Sequence, residues 1–402
     1  MSGDARLVVV GIGADGWAGL GEPARAAIEA ATTIVGSKRQ LGLLPPTDAQ
    51  LRAWPSPIDP LVDELVDGRN GPVCVLASGD PMLHGIGATL ARRAGPERVE
   101  VHPHPSAFAY ACARLGWPEA DVELLSAVGR PPEVVARSLQ PGRRLVAYVA
   151  GADGAARIAD VLRERGFGPS RLAVLERLGG ADERIVDTSA DAWRDDADPL
   201  HAVAVEVRAG PDALVLPTAP GLPDEAFEHD GALTKQAIRA VTLASLGPLP
   251  DALQWDVGAG SGSIGIEWLR AEPTARAIAV EERADRAERI AHNAARLGVP
   301  HLHIVEGRAP DAIAGLDAPD AVFAGGGLTA PGLLDACWAA LKPGGRMVAN
   351  AVTLEGEQAL LRMHAEHGGE LTRLEVSHAE GLGSFTAWRP QLPVVQWAAT
   401  NR

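Results

Sequence analysis

Cysteine is scarce in this chain, and a surplus of basic charge is absent. The three cysteines, Cys74, Cys112 and Cys337, are scattered over 402 residues with no CxxC or other ligand spacing, which argues against a disulfide framework or a zinc site. The formal net charge is −15. No cationic excess exists to release counterions from a polyanion, so neither nucleic acid nor an anionic membrane is expected as the main partner. No apolar run reaches about 18 residues, so no membrane span is expected. The opening MSGDARLVVVG lacks a basic start followed by a long apolar core, so no signal sequence is expected, and the reading is a soluble cytoplasmic protein. No fixed-period repeat is visible. His102 and His104, like His301 and His303, alternate along strand-like runs, and His364 and His367 stand three apart without an HExxH pattern. They read as core or surface histidines, and no metal is expected.

What is present is apolar residues, at 46%, and 45 glycines. At roughly 100–200 residues per domain, the length suggests two or three domains. Pro211, Pro217, Pro220 and Pro223 fall within residues 209–230. Proline removes donors and disfavours helix, so this stretch reads as a linker between domains at 1–208 and 231–402. Short apolar runs alternate with Ala-rich helical runs in both halves. Strands are predicted at 7–10, 73–76, 145–149, 172–175 and 202–207, then at 253–257, 277–280, 302–305, 321–323 and 347–350. Helical stretches such as 284–297 and 332–341 lie between them. This alternation predicts an α/β protein with parallel sheets covered on both faces. Residues 371–377 and 384–388, joined by HAEGLG, are predicted to pair antiparallel.

In the second half, WDVGAGSGSIGIEW places Gly258, Gly260 and Gly262 as GxGxG between a strand and a helix. Without Cβ, glycine lets a backbone bend sharply and approach a ligand, and open α/β sheets bind ligands at the carboxyl ends of strands. Glu281 closes the next strand, where a carboxylate can accept from both ribose hydroxyls, so a nucleoside is expected. Gly260, Gly262 and Gly265 also spell GxGxxG, so a nicotinamide-dependent oxidoreductase stays open at this point, as does a turn that only packs helix on strand.

The DxGxGxG form, with Asp256 two residues before Gly258, and the tail LKPGGRMVAN with its closing strand pair resemble the Rossmann-like (class I) S-adenosylmethionine-dependent methyltransferases. DGALTKQAIRA, EGRAP and FAGGGL narrow the resemblance to the C15-methylating, decarboxylating branch of cobalamin biosynthesis. It implies a doubly wound sheet in which Thr234, Gly258, Ala259, Gly260, Ser261, Gly262 and Gly325 contact the cofactor, Glu281 holds the ribose, and Arg308 and Ala309 line the adenine. This chain has Arg308 where the branch usually carries an acid.

The first half carries VVVGIGADGW, with Gly11 and Gly13 after a strand, then VGSKRQL, ASGDPMLHG, HPSAFAYACARLG and ERLGGADERIV. This succession resembles the tetrapyrrole methylases, an α/β family with an unrelated fold and the same cofactor, and GADGW fits the C5-methylating branch. The resemblance implies a turn at Gly79, Asp80 and Pro81 against the methionine part, Ser106 and Ala107 beside the cofactor, and Leu178 toward the adenine. Asp80 has an alternative reading as an Asx-turn residue needed only for shape. The order of the two halves resembles the decarboxylating C5,15-methyltransferase family of cobalamin (vitamin B12) synthesis. It implies one S-adenosylmethionine per half, a precorrin tetrapyrrole substrate, methylation at C5 and C15, loss of carbon dioxide from the C12 acetate, and a homo-oligomer. A partial alternative leaves only one half active. A polycarboxylate facing an acidic protein needs local cations, and Arg130, Lys235 and Arg308 are the candidates.

Overall fold

The computed structural model describes residues 6–68 and 71–402; residues 1–5, part of the stretch read for a signal sequence, lie outside them. The chain forms two compact units. One runs to Pro132 and resumes over Pro141–Pro211, and the other comprises Glu133–Gln140 and Asp212–Arg402. Within the stretch read as a linker, Leu222, Ala226 and Phe227 are buried in the core of the second unit.

The first unit opens with β1 (Leu7–Ile12), α1 (Glu22–Glu29), β2 (Thr33–Gly36), α2 (Lys38–Leu41), β3 (Gln50–Ala53), α3 (Asp59–Val66), β4 (Val73–Ser78), α4 (Ile86–Ala94) and β5 (Val99–His102). These strands form a parallel sheet in the order β3-β2-β4-β1-β5. Its central strands are apolar on both faces. Val9 and Val75 join one core, while Val10 and Leu76 join the other, as a sheet covered on both sides requires.

After α5 (Ala107–Leu115), a second sheet follows: β6 (Val122–Ser126), β7 (Arg144–Tyr148), then α6 (Gly154–Glu164), β8 (Arg171–Glu176), β9 (Arg184–Ser189) and β10 (His201–Glu206). Its order is β6-β7-β10-β8-β9. Here the all-parallel expectation needs correction. β10 inserts antiparallel between β7 and β8, and β9 pairs antiparallel with β8. Residues 177–183 alone join β8 to β9, too few for a parallel crossover, which takes about a dozen or more.

The second unit contains α7 (Gln236–Leu246), β11 (Leu253–Val257), α8 (Ser263–Ala271), β12 (Arg276–Glu281), α9 (Ala284–Arg296), β13 (His303–Glu306), β14 (Ala321–Ala324), α10 (Leu333–Ala340), β15 (Arg346–Ala351) and α11 (Leu354–His367). It ends with β16 (Glu370–Leu374), β17 (Ser377–Leu382), β18 (Phe385–Pro390) and β19 (Val394–Thr400). The order β13-β12-β11-β14-β15-β19-β16 is doubly wound, and its switch point falls between β11 and β14. The terminal antiparallel pairing is present with other partners than expected. β16 pairs with β19, and β17 with β18 as a separate hairpin. Val394–Thr400 is apolar enough to fill the sheet beside β15, whereas every residue of β17 is exposed. Leu253, Trp255 and Val257 face one core, and Ile264, Trp268 and Phe323 fill the other. The three cysteines are buried free thiols. No helix among the described residues is long and apolar enough to cross a membrane.

Candidate active sites

In the first unit, the carboxyl ends of β1 and β4 meet the start of α5 and the inner strands of the second sheet around a cavity of about 440 Å³. This lies within the roughly 300–1,000 Å³ typical of small-molecule sites. Gly13, Gly79, Asp80, Ser106, Ala107 and Leu178 line it. Gly79 stands at φ +60°, and a Cβ there would lie 3.2 Å from the Ser106 Cα. Its amide donates to the Ile12 carbonyl at 3.1 Å. Asp80 makes the Asx turn, its Oδ1 accepting from the Met82 amide at 2.8 Å. The Ser106 hydroxyl caps α5 by accepting from the Ala109 amide at 3.0 Å.

Gly11 and Pro81 stand behind this wall. A Cβ on Gly11 would lie 2.2 Å from the Gly79 carbonyl oxygen, so its bareness lets β1 approach the turn, while Pro81 packs under Gly85 and Gly87. Sequence reasoning left Arg39, His84, Tyr110, Tyr148 and His201 unassigned, and all five line the cavity. The Tyr148 hydroxyl accepts from the Phe108 amide at 3.0 Å, and burial pushes its phenol above the usual range. His104, read as a core or surface residue, is buried, with Nε2 at 3.3 Å from the Asp15 carboxylate. It thereby anchors the GADG bend. Arg130 is exposed and off the wall.

In the second unit, a cavity of about 590 Å³ opens at the carboxyl ends of β11 and β14, the switch point of the sheet. Thr234, Lys235, Gly258, Ala259, Gly260 and Gly325 line it, joined by the unforeseen Arg286, Asn350 and Gln391. Gly258 and Gly260 adopt φ +70° and +61°, a region that side chains with a Cβ disfavour. A Cβ on Gly258 would lie 3.1 Å from Gly326, and one on Gly260 3.1 Å from the Ala232 carbonyl oxygen. The gap between loop and entry segment therefore exists only because these residues are bare.

Five expected contacts stand elsewhere. Ser261 is buried, its carbonyl accepting from Asn293 at 3.0 Å, and a Cβ on Gly262 would strike Ile290 at 2.7 Å. Glu281, expected at the ribose, is buried behind the loop. One carboxylate oxygen accepts from the Gly260 amide at 2.8 Å and the other from the Arg283 amide at 3.1 Å. It secures the glycine bend and does not form the cavity wall. Arg308 points outward, its side chain 77% exposed, and Ala309 packs against an apolar core. The GRAP segment turns away after β13, beyond the reach of sequence spacing.

The entry segment is held by buried charge. Arg239 is fully buried. It donates to Glu267 at 2.5 Å and to the carbonyl oxygens of Leu222 and Thr234, while Glu267 accepts the Gly221 and Leu222 amides. Asp230 accepts from Arg286 at 2.9 Å and from the Ala232 amide at 3.1 Å. Those bonds hold its carboxyl well below the usual carboxylate range. Asp256 is the opposite case. Burial, against the Gly265 amide bond and aided by the charge of Glu281, pushes it up to about 7.

The family model for tetrapyrrole (corrin/porphyrin) methylases matches residues 6–192, and the model described as a precorrin methyltransferase domain matches residues 225–401. Both describe methyltransferases, which removes the nicotinamide reading; Gly265 lies inside α8. The chain is 46% identical over 397 residues to a precorrin-6Y C(5,15)-methyltransferase [decarboxylating] of Sinorhizobium sp, covering 98% of this chain and 96% of the relative. Single-activity relatives also match. A cobalt-precorrin-7 C(5)-methyltransferase of Salmonella typhimurium is 34% identical over 44% of this chain and 88% of its own length. A probable cobalt-precorrin-6B C(15)-methyltransferase (decarboxylating) of Pyrobaculum calidifontis is 33% identical over 44% of this chain and 93% of its own.

Proposed function

The chain belongs to the family of precorrin-6Y C5,15-methyltransferases (decarboxylating), and from that premise we propose that the first unit methylates C5 and the second methylates C15 and removes carbon dioxide, each with its own S-adenosylmethionine. The activity is methylation with decarboxylation of a precorrin tetrapyrrole in cobalamin biosynthesis. The observation that carries the division of labour is the pair of separate cavities, one in each unit, each walled by glycine bends at the carboxyl ends of strands. Two unrelated folds need no shared cofactor.

S-adenosylmethionine, when bound, supplies an electrophilic methyl group on a sulfonium. The residues supply alignment and a dry wall. In the first unit Gly13, Gly79, Asp80, Ser106, Ala107 and Leu178 hold the cofactor, with Gly11 and Pro81 behind them. In the second, Thr234, Gly258, Ala259, Gly260 and Gly325 hold it, with Ser261, Gly262 and Glu281 as supports. Lys235, on the cavity wall and 3.5 Å from Asp224, faces the substrate's carboxylates. The nucleophile is the tetrapyrrole carbon itself. The electron pair left by departing carbon dioxide passes into the conjugated ring, so no side-chain nucleophile is required.

Calorimetric titration of the full chain with S-adenosylhomocysteine tests the reading. Two equivalents bound are expected, and one or none overturns it. We also read the chain as a homo-oligomer, supported by the exposed Leu382, Phe385 and Trp388 on the β17–β18 hairpin. Sedimentation velocity yielding only a monomer would remove that reading.

A further inference from the structure

Arginines in the first unit are mostly neutralised by neighbours. Arg52 pairs with Glu64 at 2.6 Å, Arg114 with Glu183 at 2.5 Å, and Arg177 with Asp198 at 2.7 Å. Arg39 differs. Among the described residues it has no carboxylate within ion-pair distance, and its one hydrogen bond runs from Nη2 to the Ser78 hydroxyl at 2.9 Å. A guanidinium carries five donors in a planar fork, so most of the Arg39 donors are uncommitted within the chain.

Its placement is built. Ser37 and Gln40 form a reciprocal capping box on the short α2. The buried Gln40 also donates to the Ser78 hydroxyl at 3.0 Å. Ser78 immediately precedes the Gly79–Asp80 turn. The chain thus fastens Arg39 to the cavity's glycine bend, and the residue as a whole is exposed. Arg39 is also the one Lys or Arg among the described residues on that wall, and it lines the adjoining outer groove beside Arg177 as well. The wall's one carboxylate, Asp80, is engaged by the Met82 amide.

We propose that Arg39 binds a carboxylate side arm of the tetrapyrrole at the first site and so positions the ring edge that is methylated there. The inference rests on the assignment of a methyltransferase site to the first unit. Planar, bidentate recognition of carboxylate is the task to which arginine is best suited, and an acidic chain needs such a local cation to admit a polycarboxylate.

The test uses the full chain with Arg39→Ala and Arg39→Lys, measuring S-adenosylhomocysteine stoichiometry and the kinetics of methylation at each carbon. In Arg39→Ala, cofactor binding stays at the wild-type value, because Gln40 still holds Ser78. KM for the tetrapyrrole at C5 rises roughly 10-fold to 100-fold, the loss of one charge-assisted pair. Methylation at C15 is unaffected, and Arg39→Lys recovers only part of the loss. With the tetrapyrrole's carboxylates esterified, wild type and Arg39→Ala show equal KM. An unchanged KM with the free acid, a difference that survives esterification, or loss of cofactor binding in Arg39→Ala each overturns the role of Arg39. A wild-type first unit that binds no cofactor overturns the underlying assignment instead.

Discussion

The two cavities face the same task with different supports. In the first unit no buried ion pair supports the bend at Gly79: a backbone bond to Ile12 and the Asx turn of the Asp80 carboxylate shape it, while the Ser106 cap and the Tyr148 hydroxyl hold the start of α5 beside it. In the second unit the loop and entry segment hang on buried charged groups, Arg239 with Glu267 and Glu281 with the Gly260 amide, and the buried Asp256 carboxyl, bonded to the Gly265 amide, lies beneath the loop. A neutral hydrogen bond that loses one partner costs about 1–3 kcal/mol when the other is buried. A buried ion left alone costs far more, because its desolvation is no longer offset. The second site is therefore expected to be the more sensitive to charge and pH, and the first to packing.

The strongest test of that contrast is Arg239→Ala. It leaves Glu267, 2% exposed, without its cation, and the second unit loses about 3–5 kcal/mol. Hydrogen exchange should rise through α7, α8 and residues 221–235 while the first unit keeps its protection. Uniform or negligible change would remove the asymmetry. Next come the bends. Gly260→Ala and Gly79→Ala each force a side chain into φ near +60°, costing about 1–3 kcal/mol of local strain. Each should lower cofactor stoichiometry from two to one and abolish methylation at one carbon only. Loss at both carbons from either variant would break the separation of sites.

A third comparison concerns pH. The Asp256 carboxyl, at about 7 in the folded chain against an ordinary 3.8, keeps a proton that the unfolded chain has released between those values. Its contribution is thus present at low pH and falls as pH rises from about 4 to about 7, by at most about 1.4 kcal/mol per pH unit. The stability advantage of Asp256→Asn over wild type should grow with pH across that window, as read from paired melting curves. A constant difference would show that the carboxyl is ionised throughout. The smallest effect belongs to the first unit. Ser106→Ala removes a helix cap worth about 1 kcal/mol, and its melting difference from wild type should be flat from pH 5 to 8.

Much of both sites is legible from residue order because the signals are local. A bare residue after an apolar run marks a strand-end bend wherever the chain goes next, so Gly79, Gly258 and Gly260 are found without coordinates. Glu281 shows what spacing leaves out. An acid at a strand end is placed correctly in register, but sequence spacing does not reveal that its two oxygens each accept a backbone amide, from Gly260 and Arg283. Arg308 likewise follows β13 as expected, while spacing does not reveal that its side chain extends into solvent.

By itself, the sequence determined the α/β alternation, the carboxyl-end glycine bends, the acidic balance and the family, all of which depend on neighbours in the chain or on total composition. Only the tertiary structure decided that Arg39 meets Ser78, that Arg239 meets Glu267, that β10 divides β7 from β8, and that β19 rather than β17 or β18 completes the main sheet. Those outcomes turn on contacts between residues far apart in the chain. Burial, unpaired charge and competition for one sheet edge decide them, and these exist only once the chain has closed on itself.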